Sequence, residues 1–283
     1  MDNSHILITG SNGQLGKALQ AQYPGAKTVD IDTLDISNAD SVNSYDWAGI
    51  KIILNAAAYT NVDGAESAEG RIIAWQANAS AVKNLVNVAL HHDITIVHVS
   101  TDYVFDGTRN PHAEDEPFSP LSVYGTTKAA ADIAISLLPK HYILRTSWVI
   151  GDGKNFVRTM LELGQKGVNP GVVSDQIGRL TFTAELVRAI DHVLSTNAAP
   201  GTYNVTNEGD SVSWADITRE IYALAGLPNT VTDTTTADYY KDKPEAAPRP
   251  LQSTLALSKL QSTGFTSHDW REDLKNYIEK EKA

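Results

Sequence analysis

The segment ILITGSNGQLGKALQ, near the start of the chain, constrains the fold more than any other feature. An apolar run is followed by Gly10, Gly13 and Gly16, and then by a helix-forming stretch. In dinucleotide-binding folds such a turn holds a pyrophosphate: one glycine permits the tight turn, one the close approach of the backbone, and one the packing of helix on strand. The N–H groups of the helix N-terminus then face the anion. A glycine-rich turn without a ligand is the alternative, but the position between a strand and a helix favours nucleotide binding.

The first half of the chain alternates apolar β-rich runs with helix-period segments. The predicted strands are HILITG, AKTVDID, KIILNAAAY, ITIVHVS and HYILRTSWVI. The predicted helices lie at 13–23, 38–45, 71–91 and 121–138. This alternation is typical of an α/β fold with a doubly wound, Rossmann-like parallel sheet and helices on both faces. We therefore expect residues 1–150 to form a dinucleotide-binding domain.

The pattern loosens after about residue 150. Helices are predicted at 155–166, 183–195, 213–225 and 270–281, separated by Gly- and Pro-bearing loops and short strands such as GTYNVT. We interpret residues 151–283 mainly as a smaller lobe for a sugar nucleotide, with elements that can interleave with the first domain.

Composition excludes several classes of function. The absence of cysteine excludes disulfides and thiol catalysis, and the net charge of −11 disfavours nucleic-acid binding. No apolar run approaches the roughly 18 residues of a membrane span, and the N-terminus lacks the features of a signal peptide. We expect a cytoplasmic protein with no membrane and no nucleic-acid partner.

A carboxylate follows the second predicted strand, where an adenosine ribose would lie. Asp30 is placed to accept hydrogen bonds from the ribose hydroxyls, although Asp32 competes for this role. No arginine follows the strand to receive a 2′-phosphate. The pattern favours NADH without excluding NADPH.

Tyr124 and Lys128 are spaced to share one face of a predicted helix. Two other Tyr-x-x-x-Lys matches, at 23–27 and 239–243, fall where the chain breaks a helix or enters a proline-rich loop. Thr101 ends the fourth predicted strand, at the edge where ligands bind. If the three side chains converge, they form a carbonyl-reduction site, in which a phenol whose pKa is lowered by the lysine and the oxidised nicotinamide delivers a proton. An amphipathic surface pair is the alternative.

A set of motifs through nearly the whole chain resembles the dTDP-4-dehydrorhamnose reductase family, within the extended short-chain dehydrogenases/reductases. They are TGSNGQLG, LNAAAYTNVDGAES, ANASAVKNL, HVSTDYVFDG, SPLSVYGTTKAAAD, LRTSWVIG, KNFVRTM and RPLQSTL. The resemblance implies NADPH- or NADH-dependent reduction of the 4-keto group of dTDP-6-deoxy-L-lyxo-4-hexulose, which gives dTDP-L-rhamnose.

The resemblance also implies roles for particular residues. The catalytic residues would be Thr101, Tyr124 and Lys128. Besides Tyr124 and Lys128, the cofactor contacts would be Gly10, Asn12, Gly13, Gln14, Leu15, Asp30, Asp35, Ile36, Ala56, Ala57, Ala58, Tyr59 and Asn78. The dTDP-sugar contacts would be Val62, Thr101, Asp102, Tyr103, Trp148 and Arg249.

Two of these residues also stand out without the resemblance. Trp148, just past the fifth strand, can pack on a sugar, with core packing as the alternative. Arg249, between two prolines, can grip a diphosphate, with a surface-loop arginine as the alternative.

The chain departs from the family pattern in two places. Leu180 stands where a proline is expected, which puts the shape of the sugar-nucleotide lobe in question. The first helix lacks the carboxylate that bridges a metal between subunits in some members. We therefore predict no metal site, and a monomer or a dimer without a metal bridge.

Two other functions are compatible with the same fold: a sugar-nucleotide dehydratase or epimerase, and a non-catalytic nucleotide-binding subunit. Dehydratases of this kind carry an acid after Thr-Asp, where this chain has Tyr103. A regulatory subunit would need none of Thr101, Tyr124 and Lys128. The replacement of the acid by tyrosine and the presence of all three residues therefore both favour the reductase.

Overall fold

A computed structural model describes residues 2–282. Its strands are β1 Ile6–Thr9, β2 Lys27–Val29, β3 Ile52–Asn55, β4 Thr95–Thr101, β5 His141–Thr146, β6 Val149–Ile150, β7 Gly171–Val173, β8 Ile177–Gly178, β9 Thr181–Phe182, β10 Gly201–Asn204, β11 Val212–Ser213 and β12 Thr232–Thr234. Its α-helices are α1 Gln14–Gln22, α2 Ala39–Ser44, α3 Ala68–Trp75, α4 Ala81–His92, α5 Val123–Ser136, α6 Phe156–Gln165, α7 Thr183–Ser195, α8 Trp214–Ala225, α9 Thr236–Tyr240, α10 Ser258–Gln261 and α11 Trp270–Lys282.

Six strands form one parallel sheet in the order β10-β5-β4-β3-β1-β2. The predicted doubly wound fold is confirmed. The chain moves outward from β1 to β2 and then returns to the other side of β1 with β3, so the strand order reverses between β1 and β3. In such sheets the carboxyl ends of the strands on either side of the reversal leave a crevice for a ligand.

Each face of the sheet is buried under its own helices. One face packs Leu7, Ile53, Ile96 and Ile143 against apolar residues of α4 and α5. The other packs Ile8, Leu54 and Leu144 against α1 and α7. Burial on both faces explains why the strands read as continuous apolar runs rather than alternating ones.

The second half of the chain contributes to two places. Strand β10, which contains the start of GTYNVT, pairs with β5 as the outermost strand of the main sheet, and α7 packs against α1. The strand therefore lies in the main sheet rather than in the smaller lobe. The sequence analysis allowed for such interleaving of elements. It pairs there because Tyr203 and Val205 fill the same core as α7. The boundary at residue 150 stays a prediction.

The smaller lobe has a separate apolar core. Residues of α6, α8 and α11 pack together with the short strands β7 and β9. Leu180, the departure noted above, is fully buried in this core, so the leucine is accommodated by apolar packing.

The predicted helix at 71–91 is longer and less regular than expected. It begins at Ala68, because the Ser67 side chain accepts a hydrogen bond from the Gly70 N–H and caps it. A π-helical turn, Gln76–Ser80, separates α3 from α4. Such turns are frequent at functional sites.

None of the helices in the described part of the chain combines the length and the apolar character that crossing a bilayer requires.

Candidate active site

The glycine turn brings the backbone of three segments close together. Gly10 has φ +66°, and a Cβ there would lie 2.6 Å from the Ala57 backbone. A Cβ on Gly16 would lie 2.2 Å from the Gly10 carbonyl oxygen. Gly13 precedes α1 with no side chain to cap its N–H groups. A larger residue at Gly10 or Gly16 would push β1, β3 and α1 apart, so these glycines fix the shape of the turn.

A cavity of about 350 Å³ opens between this turn and the ends of β2 and β3. The predicted cofactor residues that line it are Gly10, Gly13, Asp30, Asp35, Ile36, Ala56, Ala57, Ala58 and Tyr59. The Asp30 carboxylate accepts hydrogen bonds from the N–H groups of Asn12 (2.8 Å) and Ile31 (2.9 Å). Asp30 therefore connects the turn to β2, whereas Asp32 does not line the cavity.

Asn78, predicted as a cofactor contact, lines none of the described cavities. It lies in the π-helical turn and is 1% exposed. Its amide accepts a hydrogen bond from the Tyr59 N–H (2.8 Å) and donates to the Tyr59 carbonyl and the Thr127 hydroxyl. Asn78 thus holds the loop after β3 against α5, from behind the cavity wall.

A second cavity, of about 680 Å³, continues from the first and shares Gly13, Ala56 and Ala58 with it. The predicted site residues that line it are Asn12, Gly13, Gln14, Leu15, Ala56, Ala58, Val62, Thr101, Asp102, Tyr103, Tyr124, Lys128 and Trp148. The structure therefore brings Thr101, Tyr124 and Lys128 to one cavity.

Helix α5 reaches this cavity because its first turn packs closely on the 3-10 turn Asp102–Val104. A Cβ on Gly125 would lie 2.2 Å from the Tyr103 carbonyl oxygen, so only glycine allows this approach. The Ser122 side chain caps the helix by accepting from the Gly125 N–H (3.1 Å). The rings of Tyr103 and Tyr124 meet edge to face at 5.7 Å. Tyr124 is the only tyrosine of the three Tyr-x-x-x-Lys matches that shares a helix with its lysine.

Burial dominates the electrostatics around Tyr124. Burial, followed by the charge of Asp102, raises the pKa of the Tyr124 phenol, and a hydrogen bond with Thr101 acts in the opposite direction. Burial also raises the pKa of Asp102 to about 6. One oxygen of this carboxylate, Oδ2, is buried without a hydrogen-bond partner, while Oδ1 accepts from the Thr101 hydroxyl (3.0 Å).

Lys128 is 2% exposed, and burial lowers the pKa of its ammonium to about 8. Its Nζ donates to the Val99 carbonyl (2.7 Å). The sequence led us to expect a lowered pKa for Tyr124, but in the structure burial and the charge of Asp102 raise it. The lysine ammonium bonds the backbone of β4.

The carboxylate of Asp132, one turn further along α5, favours the charged form of Lys128 and so raises its pKa. It forms a buried ion pair with Arg145 (2.9 Å), whose guanidinium lies over the rings of Phe105 and Phe118. The sequence analysis missed this pair because nothing local links α5 to β5.

A third cavity, of about 290 Å³, lies against the smaller lobe and shares Tyr103 and Trp214 with the second. Arg249 is in its wall, above the ring of Tyr240 (4.7 Å). The guanidinium also pairs with Asp63 from the loop after β3 (2.8 Å). Arg249 is therefore 14% exposed in its side chain and joins the two sides of the cleft.

Trp148 has φ +48°, an uncommon conformation for a bulky residue. Its ring stacks on Trp214 at 3.8 Å, while both residues line the second cavity. The sequence left open whether Trp148 packs on a sugar or in a core. In the structure it lines the cavity and also packs against the core of the smaller lobe. Sequence reasoning missed Trp214, because no local signal connects it to a residue so distant along the chain.

Among residues 2–282, one group of three side chains has metal-ligand spacing: Glu185, His268 and Asp273. Glu185 already pairs with Arg188, and Asp273 accepts a hydrogen bond from Asn207 (2.7 Å). These residues line none of the described cavities.

Comparison with known proteins agrees with this geometry. Residues 4–283 match the family model described as the RmlD substrate binding domain. A dTDP-4-dehydrorhamnose reductase of Aggregatibacter actinomycetemcomitans is 38% identical, over 96% of this chain and 98% of that protein. The crystal structure of a dTDP-4-dehydrorhamnose reductase from Clostridium acetobutylicum superposes with a TM-score of 0.90 at 39% identity, covering 98% of this chain and 99% of that one.

The corresponding Bacillus anthracis structure, in complex with NADP, has a TM-score of 0.88 at 34% identity and covers 98% of both chains. The similarity extends over nearly the whole chain in sequence and in structure. The chain therefore belongs to the RmlD family, whose relatives named above are dTDP-4-dehydrorhamnose reductases.

Proposed function

We propose that this protein reduces the 4-keto group of dTDP-4-dehydro-6-deoxy-L-mannose to dTDP-L-rhamnose with NADPH or NADH. The observation that carries the proposal is the meeting of Thr101, Tyr124 and Lys128 in a cavity that continues into the glycine-lined one. A reductase needs both: a cradle for a dinucleotide and a proton donor beside its reactive end.

The residues of the first cavity fit a nicotinamide dinucleotide. Gly10 and Gly16 leave no room for a Cβ, and the N-terminus of α1 opens towards the space in front of Gly13. Such a turn accepts a pyrophosphate through backbone N–H groups. Asp30 is the carboxylate placed for the adenosine ribose. When bound, the cofactor supplies the hydride.

The residues of the second cavity then handle the proton. We infer that the Tyr124 phenol donates its proton to the carbonyl oxygen as the hydride reaches the carbon. Burial keeps the phenol protonated until that step, and the Thr101 hydroxyl favours the phenolate that follows. Trp148 and Tyr103 line the walls around this point.

We assign the sugar nucleotide to the second and third cavities together. The two cavities are adjacent, because Tyr103 and Trp214 line both of them. The third contains aromatic side chains on which a base can stack and Arg249, which can pair with a diphosphate. To reach the diphosphate with both arms of its fork, Arg249 must release part of its contact with Asp63.

We further infer a cytoplasmic enzyme, without nucleic-acid partners, that acts as a monomer or as a dimer without a metal bridge. The net charge of −11 supports the absence of polyanion binding.

The direct test is oxidation of NADPH or NADH, followed by absorbance, with dTDP-4-keto-6-deoxy-L-sugar as substrate. UDP- and GDP-linked analogues are the matched controls. We expect turnover with the dTDP sugar and weaker kcat/KM with the other two. Equal turnover of all three would contradict the assignment of the base to the third cavity, and no turnover would contradict the proposed reaction.

A further inference from the structure

A row of buried polar side chains crosses three neighbouring strands of the sheet. Thr9, Asn55 and His98 stand at matching register positions on β1, β3 and β4. All three are at most 1% exposed. Buried polar groups in such a position need partners, and each of these finds one in the next.

The direction of the hydrogen bonds along this row is fixed at one end by the backbone. The Ala57 N–H, which can only donate, points to Asn55 Oδ1 (3.2 Å), and the Thr9 hydroxyl donates to the same oxygen (2.6 Å). The amide nitrogen of Asn55 must therefore face His98 Nδ1 (2.9 Å) and donate to it. A flipped amide would set its NH2 group against the Ala57 N–H.

This donation settles the protonation of the imidazole. Because Nδ1 accepts a hydrogen bond, the proton of the neutral ring lies on Nε2. His98 is fully buried, and burial is the largest cause that lowers its pKa well below the usual value, so the ring is neutral. Nε2 lies 3.3 Å from Lys128 Nζ. An N–H thus points at the lysine nitrogen, and only an unprotonated amine has a lone pair to receive it.

We propose that His98 is a positioning residue that stabilises the neutral amine form of Lys128 by donating a hydrogen bond from Nε2. The chain of donors begins at Ala57, in the wall of the first cavity, and ends at Lys128, in the wall of the second. The hydrogen bonds of this chain all point in one direction, from the first cavity to the second. This inference rests on the placement of Lys128 in the proposed reductase site. It concerns the protonation of the lysine, which can be measured without turnover.

The other titratable groups around Lys128 act in different directions. Asp132, on the same helix, favours the ammonium, and Arg145 of β5 offsets part of that charge through its ion pair. Tyr124, one turn earlier, stays a neutral phenol, and Asp102 after β4 acts mainly on that phenol. Burial lowers the pKa of Lys128 to about 8. The proposed hydrogen bond from His98 Nε2 (3.3 Å) acts in the same direction, because only the amine can accept it.

A lysine balanced in this way can take part in proton transfer. After each turnover the phenolate of Tyr124 must regain a proton. If Lys128 supplies it, an Nζ–H bond breaks as the phenol O–H bond forms, and the amine that remains accepts the Nε2–H of His98 until it takes a proton from water.

The first test needs no variant. In the ¹⁵N NMR spectrum of the whole protein without cofactor, His98 should show a protonated Nε2 and an unprotonated Nδ1 across neutral pH. A protonated Nδ1, or a doubly protonated ring, would overturn the proposal. If the protein proves not to reduce the dTDP sugar, this result is unaffected, so failure of the function and failure of the inference are distinguishable.

The second test follows the titration of Lys128 by the ¹³Cε signal, assigned by its loss in Lys128→Met. We expect a midpoint near pH 8 in the wild type. In His98→Leu the donor is gone and the midpoint should rise by about one pH unit or more, with a parallel shift of the basic limb of the pH–rate profile. His91→Leu, at an exposed histidine of α4, is the matched control and should leave both unchanged. An unchanged midpoint in His98→Leu would refute the role of His98.

Discussion

The two connected cavities of the cleft are built in different ways. The first, at the glycine turn, is walled by backbone and small side chains, and its charged lining residues are Asp30 and Asp35. The second contains Asp102 and Lys128, both at least nine-tenths buried, with Asp132 and Arg145 behind them. The first cavity is defined mainly by the shape of its backbone, whereas the second is defined by its buried ionisable groups.

The difference separates binding from chemistry. Backbone N–H groups do not titrate, so the first cavity should hold its ligand over a broad pH range. Buried ionisable groups are costly to charge, and their pKa values move towards the working pH of an enzyme. The second cavity should therefore govern both the pH dependence of turnover and a disproportionate share of the pH dependence of stability.

The strongest test of this separation is Tyr124→Phe. Loss of the hydroxyl should lower kcat by on the order of 10²-fold or more, because the proton donor is gone, while the dissociation constant of the cofactor stays within about two-fold. Stopped-flow kinetics and cofactor fluorescence titration measure the two quantities. If the variant reduces the keto sugar at close to the wild-type rate, the proton comes from another group.

Tyr23→Phe is the control for this substitution. Tyr23 caps α1 and bonds Asp191 on the far side of the sheet, so kcat should remain within a few-fold of wild type. Tyr239→Phe also removes only a hydroxyl, and we expect a similarly small effect on kcat. Because Tyr239 lines the third cavity, any change in that variant should appear in KM instead.

A smaller effect is expected on stability from Asp102→Asn. The pKa of Asp102 is raised from 3.8 to about 6, so the folded state binds more protons than the unfolded state between these values. The wild type should lose up to about 3 kcal/mol of stability as pH rises through this window, whereas the asparagine variant should not.

Urea unfolding of both proteins at about pH 4 and about pH 7.5 measures this difference. The variant should gain on the wild type as pH rises. A difference in unfolding free energy that does not change with pH would mean that Asp102 is not the buried charge we describe.

The choice of cofactor should produce a few-fold effect. The Asp30 carboxylate disfavours a 2′-phosphate, and the described lining of the first cavity offers no arginine or lysine to receive it. We expect both cofactors to support turnover, with kcat/KM for NADH at least comparable to that for NADPH. A strong preference for NADPH would rule out Asp30 as the ribose ligand.

The smallest effect is expected from metal removal. Helix α1 carries no carboxylate, so nothing there is suited to bridge a metal between subunits. Activity should persist in EDTA and the molecular mass by light scattering should not change. A dimer that dissociates on chelation would contradict this expectation.

The first cavity could largely be predicted from the sequence because its parts are local. The turn from Gly10 to Gly16, Asp30 after β2 and the alanines after β3 each follow a strand directly, and parallel strands end at one edge of the sheet. Periodicity also indicated five of the six strands of the sheet, since strands covered on both faces are apolar throughout. The sixth, β10, was expected in the smaller lobe and lies at the edge of the sheet instead.

The sequence by itself determined the first five strands of the sheet, the glycine turn and the pairing of Tyr124 with Lys128 on one helix, because these depend on spacing within a strand or a turn of helix. Only the tertiary structure decided where the buried charges and the large rings point: Lys128 to Val99 and His98, Arg145 to Asp132, and Trp214 to Trp148. These contacts join residues that are distant in the chain, and the cost of burying a charge or a ring is set by everything packed around it. That cost becomes defined only when the strands and helices have assembled.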